Sequence, residues 1–157
     1  MKLEAPKVVS ARKAEKEKAG LRAVIDGHEF ENEIRNYYTK RGFVVTTRER
    51  SKRYGEVDLW VRKSGLGFSD RIKGIRQEIY LVECKYRSRG KVTLNDFVRF
   101  VQKVKKLREQ AKRGDLGGAR YGAVFWYKGE LDGHVNEYLS MLSVELKGII
   151  TLKRPRQ

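Results

Sequence analysis

The chain has 157 residues, 36 of them Lys or Arg against 20 Asp or Glu, a formal net charge of +16, and one cysteine. This length suits one domain with an ordinary core, and a single Cys84 excludes a disulfide scaffold and any Cys-rich zinc or iron–sulfur centre within one chain. The cation excess points to a polyanionic partner, nucleic acid before an anionic membrane, because no apolar run approaches the roughly 20 residues of a spanning helix; the plainer reading is a soluble, thermophile-like surface.

Residues 1–26 read as a basic N-terminal arm, with a short helix around Ala14 to Val24, and residues 27–157 as one domain. The arm lacks the apolar stretch of a secretory signal, so a cytoplasmic location is expected. The first strong helix is predicted from Gly27 to Lys40. Phe30, Ile34, Tyr37 and Tyr38 give it one apolar face, Asp26 and Glu29 suit a capping box, and Gly42 suits its end. Phe43 to Thr47 is aromatic and β-branched and reads as a strand. A turn at Ser51–Gly55 leads to a second strand, Glu56–Val61. Arg62 to Gln77 carries three glycines and many charges and reads as a long basic loop. Ile79 to Tyr86 is the third strand.

A long helix follows from Leu94 to Lys112, capped by Thr93 or Asn95. Its stripe is Leu94, Phe97, Val98, Val101, Val104 and Leu107, and Lys103, Lys105, Lys106 and Arg108 fall on its outer part. After glycines 114, 117 and 118 come a strand at Tyr121–Tyr127, a helix at Val135–Leu142 and a strand at Gly148–Leu152. The order α-β-β-β-α-β-α-β implies a layered α/β domain in which helices flank a central mixed β-sheet. The first three strands suit an antiparallel meander.

Strand alternation singles out the chemistry. Ile79, Leu81, Glu83 and Lys85 share one face of the third strand. Two charges on a face that begins as core are costly unless paired or bound to a metal. Asp58 interrupts the otherwise apolar Val57–Val61. If the two strands are neighbours, Asp58 and Glu83 converge on one divalent cation, and carboxylate oxygens suit Mg2+. Lys85 is then placed to orient a water or to stabilise transition-state charge. A structural Glu83–Lys85 ion pair is the plainer reading. Cys84 faces the other way and reads as a small core residue. His28 and His134 have no ligand spacing between them and read as surface residues.

Asp58 followed by Glu83-Cys84-Lys85 resembles the PD-(D/E)xK, restriction-endonuclease-like superfamily. With Glu31 on the preceding helix and Gly42-Phe43-Val44-Val45 after it, the stretch from Gly27 to Lys85 is similar to Mrr-type restriction endonucleases and archaeal Holliday-junction resolvases. Gly55-Glu56-Val57-Asp58 departs from the Pro-Asp of the superfamily name. Glu83 stands where the Mrr group often has Gln, which tilts the resemblance towards the resolvases.

The resemblance implies a restriction-endonuclease-like fold and a Mg2+-dependent DNA endonuclease, with Mn2+ able to substitute. It implies that Asp58 and Glu83 ligate the metal with the Cys84 backbone carbonyl as a third ligand. Lys85 would be the catalytic lysine, and Glu31 a carboxylate of the second shell or of a second metal. Gln102 is a further candidate on the helix after Lys85. Selectivity for branched or junction DNA in repair and recombination is the leading substrate reading. A restriction-type duplex endonuclease and a non-catalytic nucleic-acid-binding module are the alternatives; an RNA-binding or ribosome-associated protein would leave the strand carboxylates unexplained. Arg48, Arg50, Lys52, Arg53, Tyr54, Arg87, Arg89 and Lys91 flank the site strands and are expected to grip phosphates. Cutting two strands favours a homodimer, with Val135 to Leu146 as its apolar contact.

Overall fold

The computed structural model describes residues 6–51, 55–64 and 77–156. In chain order the elements are α1 (Pro6–Thr39), β1 (Val44–Ser51), β2 (Gly55–Lys63), β3 (Glu78–Val92), α2 (Leu94–Lys112), β4 (Arg120–Leu131), α3 (His134–Met141), α4 (Val144–Ile149) and β5 (Ile150–Lys153). The strands form one sheet in the order β1-β2-β3-β4-β5. As expected, β1, β2 and β3 are an antiparallel meander. The β3–β4 and β4–β5 pairs are parallel, their connections running through helices, so the sheet is mixed.

Alternation along the strands builds a core on each face. On one, Ile79 and Leu81 of β3 and Phe125 of β4 meet Phe97, Phe100, Val101, Val104 and Leu107 of α2. On the other, Leu59, Val61, Val82, Val124 and Trp126 meet Phe30, Ile34 and Tyr38 of α1. Trp126 Nε1 donates to the Tyr38 hydroxyl at 3.1 Å, satisfying a polar pair inside that second core. Burial pushes the Tyr38 hydroxyl up to about 12.

The helix ends follow local chemistry. At α2, the Thr93 side chain accepts from Asp96 N and Asp96 Oδ2 accepts from Thr93 N, which closes a capping box. The buried stripe of α2 includes Phe100, which the sequence pattern leaves out, while Val98 and Leu94 are half-buried. Gly42, at φ 81°, ends the turn after α1 in a conformation costly for other residues.

Three expectations are corrected. The helix expected at Gly27–Lys40 and the short one in the arm are a single α1, so Asp26 lies mid-helix and caps nothing. Its N-terminal half is rich in Ala, Lys, Glu and Arg, all good helix formers, and two interior glycines at about 1 kcal/mol each do not break it. The strand expected from Gly148 begins at Ile150, because Val144–Ile149 forms α4, where the Ser143 side chain accepts from Leu146 N. Lastly, the dimer contact expected at Val135–Leu146 is largely spent inside the chain. Val135 and Leu146 are buried in the α2-side core, while Met141 and Val144 stay exposed.

Beyond Tyr86, β3 loses register with β4 until Lys91 pairs with Glu130. Gly129 sits opposite this irregularity with φ +116°, and a Cβ there would lie 2.5 Å from the Arg87 carbonyl oxygen. Backbone cannot step aside as a flexible side chain can, and the left-handed φ adds strain. Gly129→Ala is therefore expected to lower stability by about 2–4 kcal/mol. A urea titration showing less than about 0.5 kcal/mol of loss would mean that the bulge relaxes freely.

Candidate active site

The β2–β3 ladder runs from Lys63 opposite Glu78 to Leu59 opposite Val82, and stops there. The next residue of β2 is Asp58. In place of a strand carbonyl, its carboxylate Oδ2 accepts the backbone N–H of Cys84 at 2.8 Å. A side chain thus bridges the two strands where their pairing ends, one residue short of Glu83. The neighbour relation that brings Asp58 and Glu83 together is present.

Glu83 is the one buried charged residue among the described residues, 4% exposed. It sits on the α2 face, where alternation puts it. Oε1 meets Lys85 Nζ at 3.1 Å and Oε2 meets Lys103 Nζ at 2.8 Å. Each oxygen of the carboxylate has its own ammonium, which is the condition under which a buried charge is tolerated. Lys85 comes from the same strand two residues on, and Lys103 reaches over from α2.

Electrostatics set the two carboxylates apart. The Asp58 carboxyl is pushed up from 3.8 to about 6, first by burial and then by the Glu83 charge; the Cys84 N–H and Lys85 act against this, and Glu31 adds to it. Burial alone would lower Lys85, but the adjacent Glu83 carboxylate outweighs it and holds the ammonium above its ordinary value. Lys85 is thus a cation at neutral pH. The Cys84 thiol is driven well up by burial, then by Asp58, Glu31 and Glu83. Its side chain packs on the α1 face, as a core residue does.

Glu31 arrives from α1, half-buried. It is near enough to raise both Asp58 and Cys84. Glu31, Asp58, Glu83, Cys84 and Lys85, from three elements, therefore gather near the middle of β3, where its pairing with β2 ends. Gln102 does not join them: it is exposed and lines an outer groove of α2 with Lys105 and Lys106. Lys103 takes the inward place instead. The sequence pattern suggests the outer part of α2 for Lys103, yet its spacing from Phe100, Val104 and Leu107 puts it at the margin of the buried stripe. His28 is exposed on α1.

Of the expected phosphate contacts, Lys52, Arg53 and Tyr54 lie outside the described residues, as do the side chains of Arg48 and Arg50. Arg87 pairs with Asp96 at 3.3 Å and Lys91 with Glu130 at 3.2 Å. Both are exposed pairs of small energetic weight, which a phosphate can replace. Arg89 is exposed and borders a groove with Arg12, Lys13 and Lys16 of α1.

Among the described residues, no three His, Cys, Asp or Glu side chains are grouped to hold a metal ion. An all-protein cage of the zinc kind is not offered. A pair of hard carboxylates is, and Mg2+ asks for no more than one or two, keeping waters in its other positions. Burial first and the Glu83 charge second raise Asp58, and a divalent cation beside the pair would offset both; each Glu83 oxygen is engaged by a lysine that the ion would have to displace or share. No helix among the described residues is long and apolar enough to cross a membrane.

A family model described as restriction endonuclease, the Mrr catalytic domain, matches residues 22–116, more than half of the chain. The match runs from the middle of α1 through β1, β2, β3 and α2, and contains every member of the cluster around Glu83. No curated protein matches the chain.

Proposed function

Because the chain belongs to the restriction endonuclease family with the Mrr-type catalytic domain, we propose that it is a Mg2+-dependent endonuclease that hydrolyses phosphodiester bonds of DNA at Asp58, Glu83 and Lys85. One observation carries the reading. A buried carboxylate, Glu83, is held between two lysines beside a second carboxyl raised to about 6, in part by that same charge. A structural ion pair gives no reason for a second buried carboxyl beside it, whereas a Mg2+ site draws on one or two.

Asp58 and Glu83 would hold the ion, with the Cys84 carbonyl beside them and Glu31 behind Asp58. When bound, Mg2+ supplies charge that neutralises the scissile phosphate and acidifies a water. The hydrogen bond from Cys84 N fixes the Asp58 carboxylate through Oδ2. In the metal-free protein Glu83 holds Lys85 protonated. Lys85 acts as a cation, orienting the attacking water and stabilising the charge that builds on the phosphoryl oxygens. Lys103 holds the far oxygen of Glu83. Mn2+, also an oxygen-seeking ion, is expected to substitute.

The family match weighs towards the restriction-type duplex reading over one selective for branched DNA in repair or recombination. The test is cleavage of labelled linear, flapped and four-way DNA with Mg2+, Mn2+ or EDTA, by the parent protein and by Lys85→Ala. Metal-dependent cutting that drops by about 10²-fold or more in the variant, with binding kept, is the expected result. No cutting of any substrate in either metal would sink the proposal and leave a DNA-binding module.

A further inference from the structure

Among the described residues, five cations gather in a groove on the other face of the sheet from Glu83. The groove lies between the C-terminal half of α1 and the chain that follows β5 and has a volume of about 710 Å3. Lys40, Arg41, Lys153, Arg154 and Arg156 line it, against the single carboxylate of Glu33. That carboxylate is already engaged by Lys128, at 3.7 Å. The groove is therefore strongly positive.

Its cations are arranged rather than scattered. The Arg41 guanidinium stacks 3.5 Å from the Tyr37 ring centroid. Lys153 Nζ lies 5.4 Å from both the Tyr37 and the Trp126 ring centroids, and bonds the Tyr37 hydroxyl at 3.4 Å. Aromatic floors fix two long side chains and reduce the entropy lost when they bind an anion. Half-buried Pro155 restricts the backbone of Arg154 to extended conformations and holds Arg154 and Arg156 at the rim.

Trp126 is opposite Cys84 in the β3–β4 pairing and packs on the α1 face. The groove thus opens across the sheet from Glu83, and a strand further out. The sheet lies between the groove, on the α1 face, and Glu83, which meets Lys103 on the α2 face, so one straight duplex is not expected to fill both.

We propose that this groove is an exosite for the phosphate backbone of a second DNA segment, distinct from the segment at the cut site. Charge complementarity selects the occupant: the row of lysines and arginines suits a polyanion with regularly spaced phosphates. The inference rests on DNA being the substrate of the Glu83 site, but its test needs no cleavage.

The triple variant Lys40→Gln, Arg154→Gln, Arg156→Gln changes side chains at the rim of the groove and none in the core. Binding of a labelled 12-base-pair duplex is measured in EDTA by anisotropy, with stoichiometry and salt dependence. The parent is expected to bind two duplexes and the variant one. The salt slope summed over all binding should be steeper in the parent by at least roughly 2.7, the contribution of three neutralised phosphates. Equal stoichiometry with equal slopes would overturn the exosite, as would an affinity loss with no change in salt slope. If the expected result is seen in a protein that cuts no DNA, the exosite stands and the nuclease reading fails.

Discussion

Asp58→Asn is expected to abolish cleavage and at the same time to stabilise the metal-free protein. Asparagine keeps an oxygen able to accept the Cys84 N–H, so the β2–β3 junction survives. It removes the charge that a cation needs. Losing one of two carboxylate ligands should cost roughly 10³-fold in cleavage rate, about 4 kcal/mol of transition-state stabilisation. Stability moves the other way. The folded Asp58 carboxyl binds its proton at about 6, against 3.8 for the ordinary group. The folded state therefore binds that proton more tightly than the unfolded state. At pH 7 the ionised Asp58 works against folding, by about 1–3 kcal/mol after allowance for partial solvent access. This penalty is relieved as pH falls from about 6 towards 4, and below that both states are protonated. In EDTA at about pH 7 the variant should unfold at higher urea than the parent, with the difference vanishing near pH 4. Saturating Mg2+ should narrow the gap by stabilising the parent alone. A variant less stable than the parent at neutral pH would mean that the Asp58 charge is already compensated without a metal.

Glu83→Ala should lose cleavage to a similar degree but with the opposite effect on stability. Glu83 is the shared partner of Lys85 and Lys103. Removing it leaves two ammonium groups facing each other in a partly buried space. Breaking a buried pair from one side costs about 3–5 kcal/mol. The side chains of Lys85 and Lys103 are 27% and 16% exposed. Both can therefore extend towards water, and about 2–3 kcal/mol is expected. Chemical denaturation in EDTA measures it. Two carboxylates of one site would then differ in sign: one destabilises the fold and is kept for chemistry, the other serves both. Equal and small stability changes in the two variants would argue for a plain surface ion pair.

Much of this site is legible in the amino-acid sequence, because its signals are local. Glu83 and Lys85 lie two residues apart in a strand, and alternation alone puts them on one face. Asp58 stands out because a lone charge in Val57–Val61 is costly without a reason. Thr93 reads as a cap from its position ahead of an apolar-periodic run. Lys103 escapes notice because its spacing puts it at the edge of the stripe of α2. A long, flexible side chain there can turn either way, and the choice depends on a carboxylate twenty residues earlier. The single α1, where an arm and a separate helix are expected, has the same origin. Capping residues are common in helix interiors, and two glycines look like boundaries when neighbouring contacts cannot be seen.

The sequence by itself determined most of the helix and strand types, the shared face of Glu83 and Lys85, and the cation excess that favours a polyanionic partner. These follow from periodicity, propensity and charge, which act over a few residues or over the whole composition. Tertiary structure alone decided that the β2–β3 ladder ends where Asp58 begins, that Lys103 completes the cradle of Glu83, that much of the apolar side of α3 and α4 is consumed within the chain, and that cations from the turn after α1 and from β5 and the residues following it meet in one groove. Each of these joins segments far apart in sequence, and only packing fixes which distant side chains become neighbours.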